Sequence, residues 1–255
     1  MRCNFVSFSS SPKEKLLDQI LRNLLADYII SDNYFTLIVP GHHSDQLNIH
    51  DYDDPKFVYD LSINNSNNIS LSWDLEFLSR LKEQTKFVRV RMDGSHDKIM
   101  KYFEMDFYEN VCPAMWAFKY FRRNEIGGNY FVVDLDYADY DILNNIKKHY
   151  GLNYYMLDSA DIFYQISGAK FVLTNCSITQ NMCYGAKIPV ITISEFSNLR
   201  EFFRKFGFRG FDIPAEQVST DLLIEAIDSC DTQYSEIEPF WEDTLYDLSL
   251  VDRYI

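Results

Sequence analysis

Residues 168–193 read GAKFVLTNCSITQNMCYGAKIPVITI, and this stretch decides the predicted fold. An apolar run at 171–173 leads into the polar tetrad 174–177, and a second apolar run at 190–193 follows Pro189. This spacing predicts a strand, a helix and a parallel return strand. The tetrad would then lie at the carboxyl end of the first strand and open the helix. Backbone N–H groups and the helix dipole favour an anion such as phosphate at that place.

The same alternation of strands and helices extends over the second half of the chain. It begins after Gly127-Gly128, the only Gly-Gly pair in the sequence. The predicted strands are 130–133 and 154–157, and the predicted helices are 140–149, 159–167, 197–206 and 218–230. Strands that alternate with helices predict a parallel sheet covered on both faces.

The first half opens with a similar pattern. The predicted strands are 3–8, 34–39, 57–63 and 86–92, and the predicted helices are 12–30 and 72–85. In strand 86–92, Arg89 and Arg91 share one face and Val88 and Val90 share the other. The segment 95–123 is predicted to be mainly helical. The expected fold class is therefore α/β, with two Rossmann-like parallel-sheet halves that face a cleft, divided into residues 1–125 and 126–255.

Composition limits the class of protein. A chain of 255 residues with 47% hydrophobic and 16% aromatic residues is not disordered or fibrous. A net charge of −14 disfavours broad contact with nucleic acid or with an anionic membrane. Five cysteines without CxxC spacing favour reduced thiols over a disulfide framework or a zinc site. With no apolar signal core and no run of about 18 apolar residues, we expect a soluble, cytoplasmic protein without a membrane span.

The order of motifs in 168–193 resembles the donor-binding half of GT-B glycosyltransferases, most closely the heptosyltransferase-like group. That group typically shows a strand followed by Gly-Asn-Asp-Ser-Gly-Pro-Met-His, an alanine-rich helix and Gly-Val-Pro-Val. Its Asn, Ser, His and Pro-Val fall on Asn175, Ser177, Asn181 and Pro189-Val190. The departures are Cys176 for Asp, Ile178 for Gly, Asn181 for His and Lys187 for Gly. The resemblance covers roughly residues 125–210.

The resemblance implies a GT-B-like enzyme that moves a sugar from a nucleotide-diphosphate donor to an acceptor hydroxyl, without a metal or other cofactor. The donor would bind to 126–255 and the acceptor to 1–125. Ser177 and Thr179 would donate to phosphate oxygens, and Asn175 and Asn181 would bind sugar hydroxyls. The other donor-binding candidates are Cys176, Arg200, Arg204 and Ser9. The alternative is that Asn175 and Ser177 merely cap a helix.

A base is expected in the loops that follow the first-half strands. His42 and His43 follow strand 34–39, and Asp93 follows strand 86–92 together with His96. These positions suit a group that takes a proton from an acceptor hydroxyl. The catalytic candidates are His42, His43 and Asp93.

Three other functions remain open. The run Val133-Asp134-Leu135-Asp136 resembles the metal site of GT-A glycosyltransferases, where Asp134 and Asp136 would hold Mg²⁺ or Mn²⁺ against donor phosphates. A composition rich in Asn, Ile and Tyr suits small phage-type glycosyltransferases, whose acceptor is modified DNA rather than a glycan. DNA would require convergence of basic side chains, namely Arg89, Arg91, Arg122, Arg123 and Arg200. A noncatalytic interaction protein would use the aromatic segment 100–121 as its partner face.

Overall fold

The computed structural model describes residues 2–8, 11–30, 32–40, 48–61, 75–91, 95–110, 112–157, 161–194, 211–230 and 237–255. The chain forms two compact units. Unit 1 comprises Met1–Cys112 and Glu238–Ile255, and unit 2 comprises Pro113–Ile237. Each unit contains a five-stranded sheet whose strand pairs are all parallel. The expected α/β class with two Rossmann-like parallel-sheet halves is confirmed.

In unit 1 the strands lie side by side in chain order. They are β1 (Arg2–Ser7), β2 (Tyr34–Val39), β3 (Lys56–Leu61), β4 (Phe87–Arg91) and β5 (Tyr108–Asn110). The helices of this unit are α1 (Pro12–Tyr28), α2 (Leu75–Gln84), α3 (Ser95–Phe103) and the last helix of the chain, α9 (Ile237–Tyr254). The order of the strands never reverses, so this sheet has no topological switch point within the described residues.

Helices cover both faces of the unit 1 sheet. Val90 shares a buried cluster with Leu81 of α2 and Ile99 of α3. On the opposite face, Arg89 hydrogen-bonds Asp247 of α9. The expected alternation of arginines and valines along β4 is confirmed, and both faces of the strand are buried.

Unit 2 is a doubly wound sheet. Its strands are β6 (Tyr130–Asp134), β7 (Asn153–Met156), β8 (Val172–Thr174), β9 (Val190–Ser194) and β10 (Phe211–Pro214). Its helices are α4 (Ala117–Tyr120), α5 (Tyr140–Tyr150), α6 (Ile162–Gly168), α7 (Ser177–Ala186) and α8 (Thr220–Ser229). The spatial order is β10-β9-β8-β6-β7, so the direction of winding reverses between β6 and β8. Open parallel sheets bind ligands outside the carboxyl ends of the strands at such a switch point.

The two faces of the unit 2 sheet are covered by different helices. Val133 and Leu173 share a cluster with Leu143 of α5 and Leu223 of α8. Side chains one position further along each strand point to the other face. On that face the helix α7 packs against β9, where Gln180 hydrogen-bonds Thr192 at 3.1 Å.

A buried segment before β6 packs closely on α7. Residues Pro113–Trp116 form a 3-10 turn that leads into α4, and all four are buried. A Cβ atom added at Gly185 would lie 1.9 Å from the carbonyl oxygen of Met115, so the two backbones approach as closely as glycine allows. This packing places 113–125 in unit 2, while α9 belongs to unit 1; the division at 125/126 was drawn from the Gly-Gly pair alone.

The aromatic segment 100–121 is not one exposed face. Tyr102 and Tyr108 are exposed, but Met115 and Trp116 are buried. The expectation of a single partner face over this segment is therefore wrong, because the packing of 113–117 on α7 removes the middle of the segment from the surface. No helix in the described ranges is both long and apolar enough to span a bilayer. The predicted helix 197–206 lies outside the described residues.

Candidate functional site

Three neighbouring strands of unit 2 carry polar side chains in one row. Asp134 ends β6 and pairs in register with Thr174, which ends β8; Thr174 pairs in turn with Thr192, two residues before the end of β9. Thr174 donates its hydroxyl to Oδ2 of Asp134 at 3.0 Å and accepts the backbone N–H of Cys176 at 2.9 Å. These two hydrogen bonds of Thr174 fix the turn that leads from β8 into α7.

The loops after β6 and β8 meet at the switch point. The amide Nδ2 of Asn175 donates to Oδ2 of Asp136 at 3.0 Å, and the backbone N–H of Asn175 donates to the carbonyl oxygen of Asp134 at 3.1 Å. In the sequence, Asp134-x-Asp136 was the motif of a GT-A-like metal site and Asn175-x-Ser177 the motif of a GT-B-like donor site. In the fold the two motifs lie side by side.

The N-terminus of α7 lacks a side-chain cap, as do the shorter helices α4 and α6. Its N-cap residue is Cys176, whose side chain makes no capping hydrogen bond. The N-cap side chains of α1, α5 and α8 do cap their helices; they are Ser11, Asp139 and Ser219. The interpretation that Asn175 and Ser177 merely cap the helix is wrong, because Ser177 is already the first helical residue and the Asn175 amide bonds Asp136. The first N–H groups of α7 therefore face the switch point without a capping side chain from Cys176, and they favour an anion.

Three buried polar side chains of α7 have unused oxygens, namely Thr179, Gln180 and Asn181. Asn181 donates through Nδ2 to the carbonyl oxygen of Ser177 at 2.7 Å, which holds its amide against the first turn. Oδ1 of Asn181 and Oγ1 of Thr179 are buried and have no hydrogen-bond partner among the described residues. Such atoms cost free energy unless a ligand or water satisfies them.

The five predicted donor-binding residues of this stretch lie together, but their exposure differs. Asn175, Cys176 and Ser177 are partly exposed, whereas Thr179 and Asn181 are 0% and 2% exposed. The first three are accessible to a ligand from solvent. Their binding roles, and those of Thr179 and Asn181, remain predictions.

Sequence reasoning missed three polar residues that shape this site. Thr174 and Thr192 are buried, and Gln180 links α7 to β9 by donating to Thr192 at 3.1 Å and to Tyr184 at 3.2 Å. A signal was present, because the apolar runs FVVD, FVLT and PVIT each end in a polar residue. Equivalent polar ends on adjacent parallel strands predict one polar row.

A buried thiol lies beneath the polar row. Cys183 is fully buried in α7, and this burial, followed by the negative charge of Asp134, raises the pKa of its thiol well above the ordinary value. The thiol therefore stays protonated at neutral pH. It acts as a small apolar side chain and not as a nucleophile.

Several predicted site residues fall on parts of the chain that the structure does not describe. They are the base candidates His42, His43 and Asp93 and the donor-binding candidates Ser9, Arg200 and Arg204. Their roles remain predictions.

His96 is a base candidate that the structure does describe. It lies in the first turn of α3, which follows the carboxyl end of β4. Its Nε2 lies 3.0 Å from Oδ1 of Asp106, and its Nδ1 lies 3.4 Å from Oδ1 of Asp97. Its role as a base remains a prediction.

Two of the arginines proposed for a DNA surface, Arg89 and Arg91, are not free to converge with the others. Arg91 donates through Nε at 3.0 Å and Nη2 at 2.5 Å to the buried carboxylate of Asp60, and Arg89 donates to Asp247 at 2.6 Å. Both guanidinium groups are buried. The expectation that Arg89 and Arg91 take part in a DNA-facing surface is wrong, because each is neutralised by a carboxylate in the core of unit 1.

A metal site at Asp134 and Asp136 would need further ligands. Within the described residues no group of three or more His, Cys, Asp or Glu side chains is placed to hold a metal ion. Each of the two carboxylates also accepts a hydrogen bond, from Thr174 and Asn175 respectively. Oxygens of a bound phosphate would be suitable ligands to complete the coordination of a divalent cation here.

Comparison with known proteins gives a likeness in structure but none in sequence. No protein-family model matches the chain, and no curated protein matches it in sequence. Among solved structures, the fold is similar to that in a crystal structure of the glycotransferase of kitacinnamycin. The two chains are 9% identical, the match covers 99% of this chain and 98% of the other, and the TM-score is 0.49.

Proposed function

We propose that this protein is a glycosyltransferase that moves a sugar from a nucleoside-diphosphate sugar to a hydroxyl group of an acceptor. The observation that carries the proposal is the N-terminus of α7. It lies at the switch point of unit 2, and its N-cap Cys176 supplies no capping side chain. A helix N-terminus of this kind attracts a phosphate group through its N–H groups and dipole.

The side chains around this helix start suit a donor with a phosphate part and a hydroxylated part. The Ser177 hydroxyl is partly exposed on the first turn and would donate to a phosphate oxygen. Asn175, beside it, offers an amide to hydroxyl groups. The same residues carry the resemblance to heptosyltransferase-like GT-B enzymes, together with Pro189-Val190 at the start of β9. Arg200 and Arg204 would neutralise the diphosphate.

The reaction requires one base and a good leaving group. The bond between the anomeric carbon and the phosphate oxygen breaks, and its electron pair leaves with the nucleoside diphosphate. The acceptor oxygen bonds the anomeric carbon as its proton passes to the base. The predicted bases are His42, His43 and Asp93, with His96 as a further candidate. Most of the rate enhancement would come from positioning and from stabilisation of charge on the diphosphate.

A thermal-shift panel of nucleoside diphosphates and their sugars, in EDTA, tests the proposal. We expect one nucleotide to raise the melting temperature, since a ligand at 100 times its Kd stabilises a protein by about 2.7 kcal/mol. Ser177→Ala should weaken that ligand roughly tenfold through the loss of one hydrogen bond to a charged group. The matched control is Ser249→Ala, on the exposed side of α9. The proposal fails if no compound of the panel shifts the wild-type protein.

A metal-dependent enzyme is the second candidate, and the contact between Asn175 and Asp136 favours it. This contact brings an Asp-x-Asp motif beside the proposed phosphate position. Mg²⁺ commonly binds one or two carboxylates together with substrate phosphates. Under this alternative, EDTA abolishes the nucleotide-induced shift, Mn²⁺ restores it, and Asp134→Ala removes the restoration. A shift that is equal in EDTA and in Mn²⁺ rejects the metal-dependent enzyme.

A further inference from the structure

Asp136 and Asn175 form a pair with two unused acceptor oxygens. Their side chains bond each other, since Nδ2 of Asn175 donates to Oδ2 of Asp136 at 3.0 Å. Among the described residues, Oδ1 of Asp136 and Oδ1 of Asn175 make no other hydrogen bond. Asp136 is exposed and Asn175 partly exposed, so both oxygens are accessible to a ligand.

The pair is anchored on two adjacent strand ends. The backbone of Asn175 bonds the carbonyl oxygen of Asp134, and the carboxylate of Asp134 accepts the Thr174 hydroxyl at the end of β8. Because β6 and β8 are neighbours in the sheet, the two acceptor side chains are held side by side before any ligand arrives. Such preorganisation lowers the entropic cost of binding.

We propose that Asp136 and Asn175 together bind two adjacent hydroxyl groups of a ligand. Two neighbouring acceptors match two neighbouring O–H donors, and the bond to a carboxylate is the stronger of the two. An anion is a poor match, because the Asp136 carboxylate repels it. Bidentate chelation of a cation by Asp136 is a poor match too, because its Oδ2 already accepts the Asn175 amide; a cation held through Oδ1 alone belongs to the metal-dependent alternative above.

The chemical class of the ligand is therefore a vicinal diol on a ring. If the proposed function is right, the diol belongs either to the ribose of the nucleotide or to a sugar. This choice of source rests on the proposed function. The neighbouring start of α7 would take the phosphates. If the diol is that of the ribose, Asp136 and Asn175 would discriminate ribonucleotides from deoxyribonucleotides. If it is that of a sugar, they would discriminate the sugar from its deoxy analogue.

Calorimetric titration with matched diol and deoxy ligands tests this inference. The probes are the ribonucleoside diphosphate that gives the largest thermal shift, its 2′-deoxy and 3′-deoxy analogues, methyl mannoside and its 2-deoxy analogue. The wild-type protein should prefer one diol over its deoxy analogue by at least about tenfold. Asp136→Asn keeps an oxygen for the Asn175 amide but replaces the free acceptor by an NH₂ donor, so this preference should fall below about threefold.

Two other variants show whether the effect belongs to the pair. Asp141→Asn makes the same change of charge on an exposed residue at the start of α5 and should leave the diol preference unchanged. Ser177→Ala should weaken the binding of diol and deoxy nucleotides equally, because it removes a contact to the phosphates that both share. The inference is overturned, with the proposed function intact, if nucleotides bind but no diol preference exists or Asp136→Asn retains it.

The remaining outcomes separate the two proposals. If no nucleotide binds but methyl mannoside does, with a preference that Asp136→Asn removes and Asp141→Asn keeps, the diol site stands and the proposed function falls. If neither nucleotides nor methyl mannoside bind the wild-type protein, both are overturned.

Discussion

Arg89 on β4 donates through Nε to Oδ1 of Asp247 on α9 at 2.6 Å, although 158 positions of sequence separate the two residues. Both side chains are more than nine-tenths buried. The Arg89 guanidinium also lies over the rings of Phe87 and Tyr108, at 4.7 and 5.1 Å from their centroids. The pair therefore fixes the last helix to a face of the sheet formed by the first 112 residues.

Removal of one partner of this pair should destabilise the protein strongly. Asp247→Ala leaves the Arg89 charge buried without its partner, which typically costs about 3–5 kcal/mol. Urea denaturation followed by tyrosine and tryptophan fluorescence measures the change. Glu242→Ala, at an exposed position of the same helix, should alter stability by less than about 0.5 kcal/mol. Equal effects of the two variants would mean that α9 is held by its apolar contacts alone.

Gly185→Ala should be among the most damaging substitutions in unit 2. The new methyl group would lie 1.9 Å from the Met115 carbonyl oxygen, and backbone atoms cannot yield as a side-chain end can. We expect a loss above about 3 kcal/mol or a protein that does not accumulate in soluble form. Gly151→Ala is the control, since it meets no atom within 4 Å and bears only the strain of a positive φ, about 1–2 kcal/mol.

Lys187→Gly should stabilise the protein. Lys187 ends α7 in the left-handed conformation, with φ 58° and ψ 45°, where glycine avoids the steric cost of a Cβ atom. The expected gain is about 1 kcal/mol. The inverse change Gly151→Lys, at the left-handed end of α5, should lose a similar amount. Thermal unfolding of the two variants gives the comparison, and shifts of the same sign would refute it.

Cys176→Ser should raise stability and weaken anion binding together. A serine at the N-cap accepts a hydrogen bond from the first turn of the helix, which is worth about 1 kcal/mol. The same bond occupies an N–H group that a phosphate would otherwise use. Denaturation and nucleotide titration on one preparation measure both effects. An unchanged free energy of unfolding would indicate that the N–H groups of this turn are already satisfied.

Stability should fall above about pH 9. Burial raises the pKa of Cys3 to about 11, and it raises the pKa of Cys183 and of Tyr59 well above their ordinary values. In the unfolded chain these groups lose their protons at lower pH than in the folded protein, so the unfolded state binds fewer protons there. The stabilisation is complete below the unfolded pKa of the thiols, near pH 9, and is lost as the pH rises. Urea midpoints between pH 7 and 10 measure the slope, which should be shallower in Cys3→Ala.

The local pattern of the sequence was sufficient to predict most strands and helices of unit 2. Apolar runs and polar interruptions located β6, β8 and β9 to within one residue, and the cap residues Asp139 and Gly151 bound α5. Each of these elements is specified by its own residues and by turn chemistry. Local information also predicted that the start of α7 would be the place for a ligand.

Two kinds of feature were not predicted: a short strand at the edge of a sheet, and the burial of a side chain by an element distant in sequence. Strand β5 is only Tyr108–Asn110, too short for a period to be visible, so it was included in a helical segment. The sequence placed Arg89 and Arg91 on one face of β4 and predicted a terminal helix over 236–246, but its local pattern did not pair Arg89 with Asp247. Both failures concern partners that lie far away in sequence, which a local pattern does not encode.

The composition of the candidate site depended on strand order. Asp136 and Asn175 are 39 positions apart, and they meet because β8 is inserted beside β6 rather than beside β7. A sheet in simple chain order, like that of unit 1, would have separated them by a strand. The order of strands is a property of the whole unit. Each of the two motifs could therefore be recognised in the sequence, but the contact between them could not be predicted.

Unit 1 is discontinuous, since its sheet comes early in the chain and its last helix comes after all of unit 2. During synthesis on the ribosome, every residue of unit 2 emerges before α9 does. Unit 2 can therefore complete its fold first, while the face of the unit 1 sheet that carries Arg89 waits uncovered. Unit 1, whose sheet is made first, therefore completes its fold only after α9 has emerged.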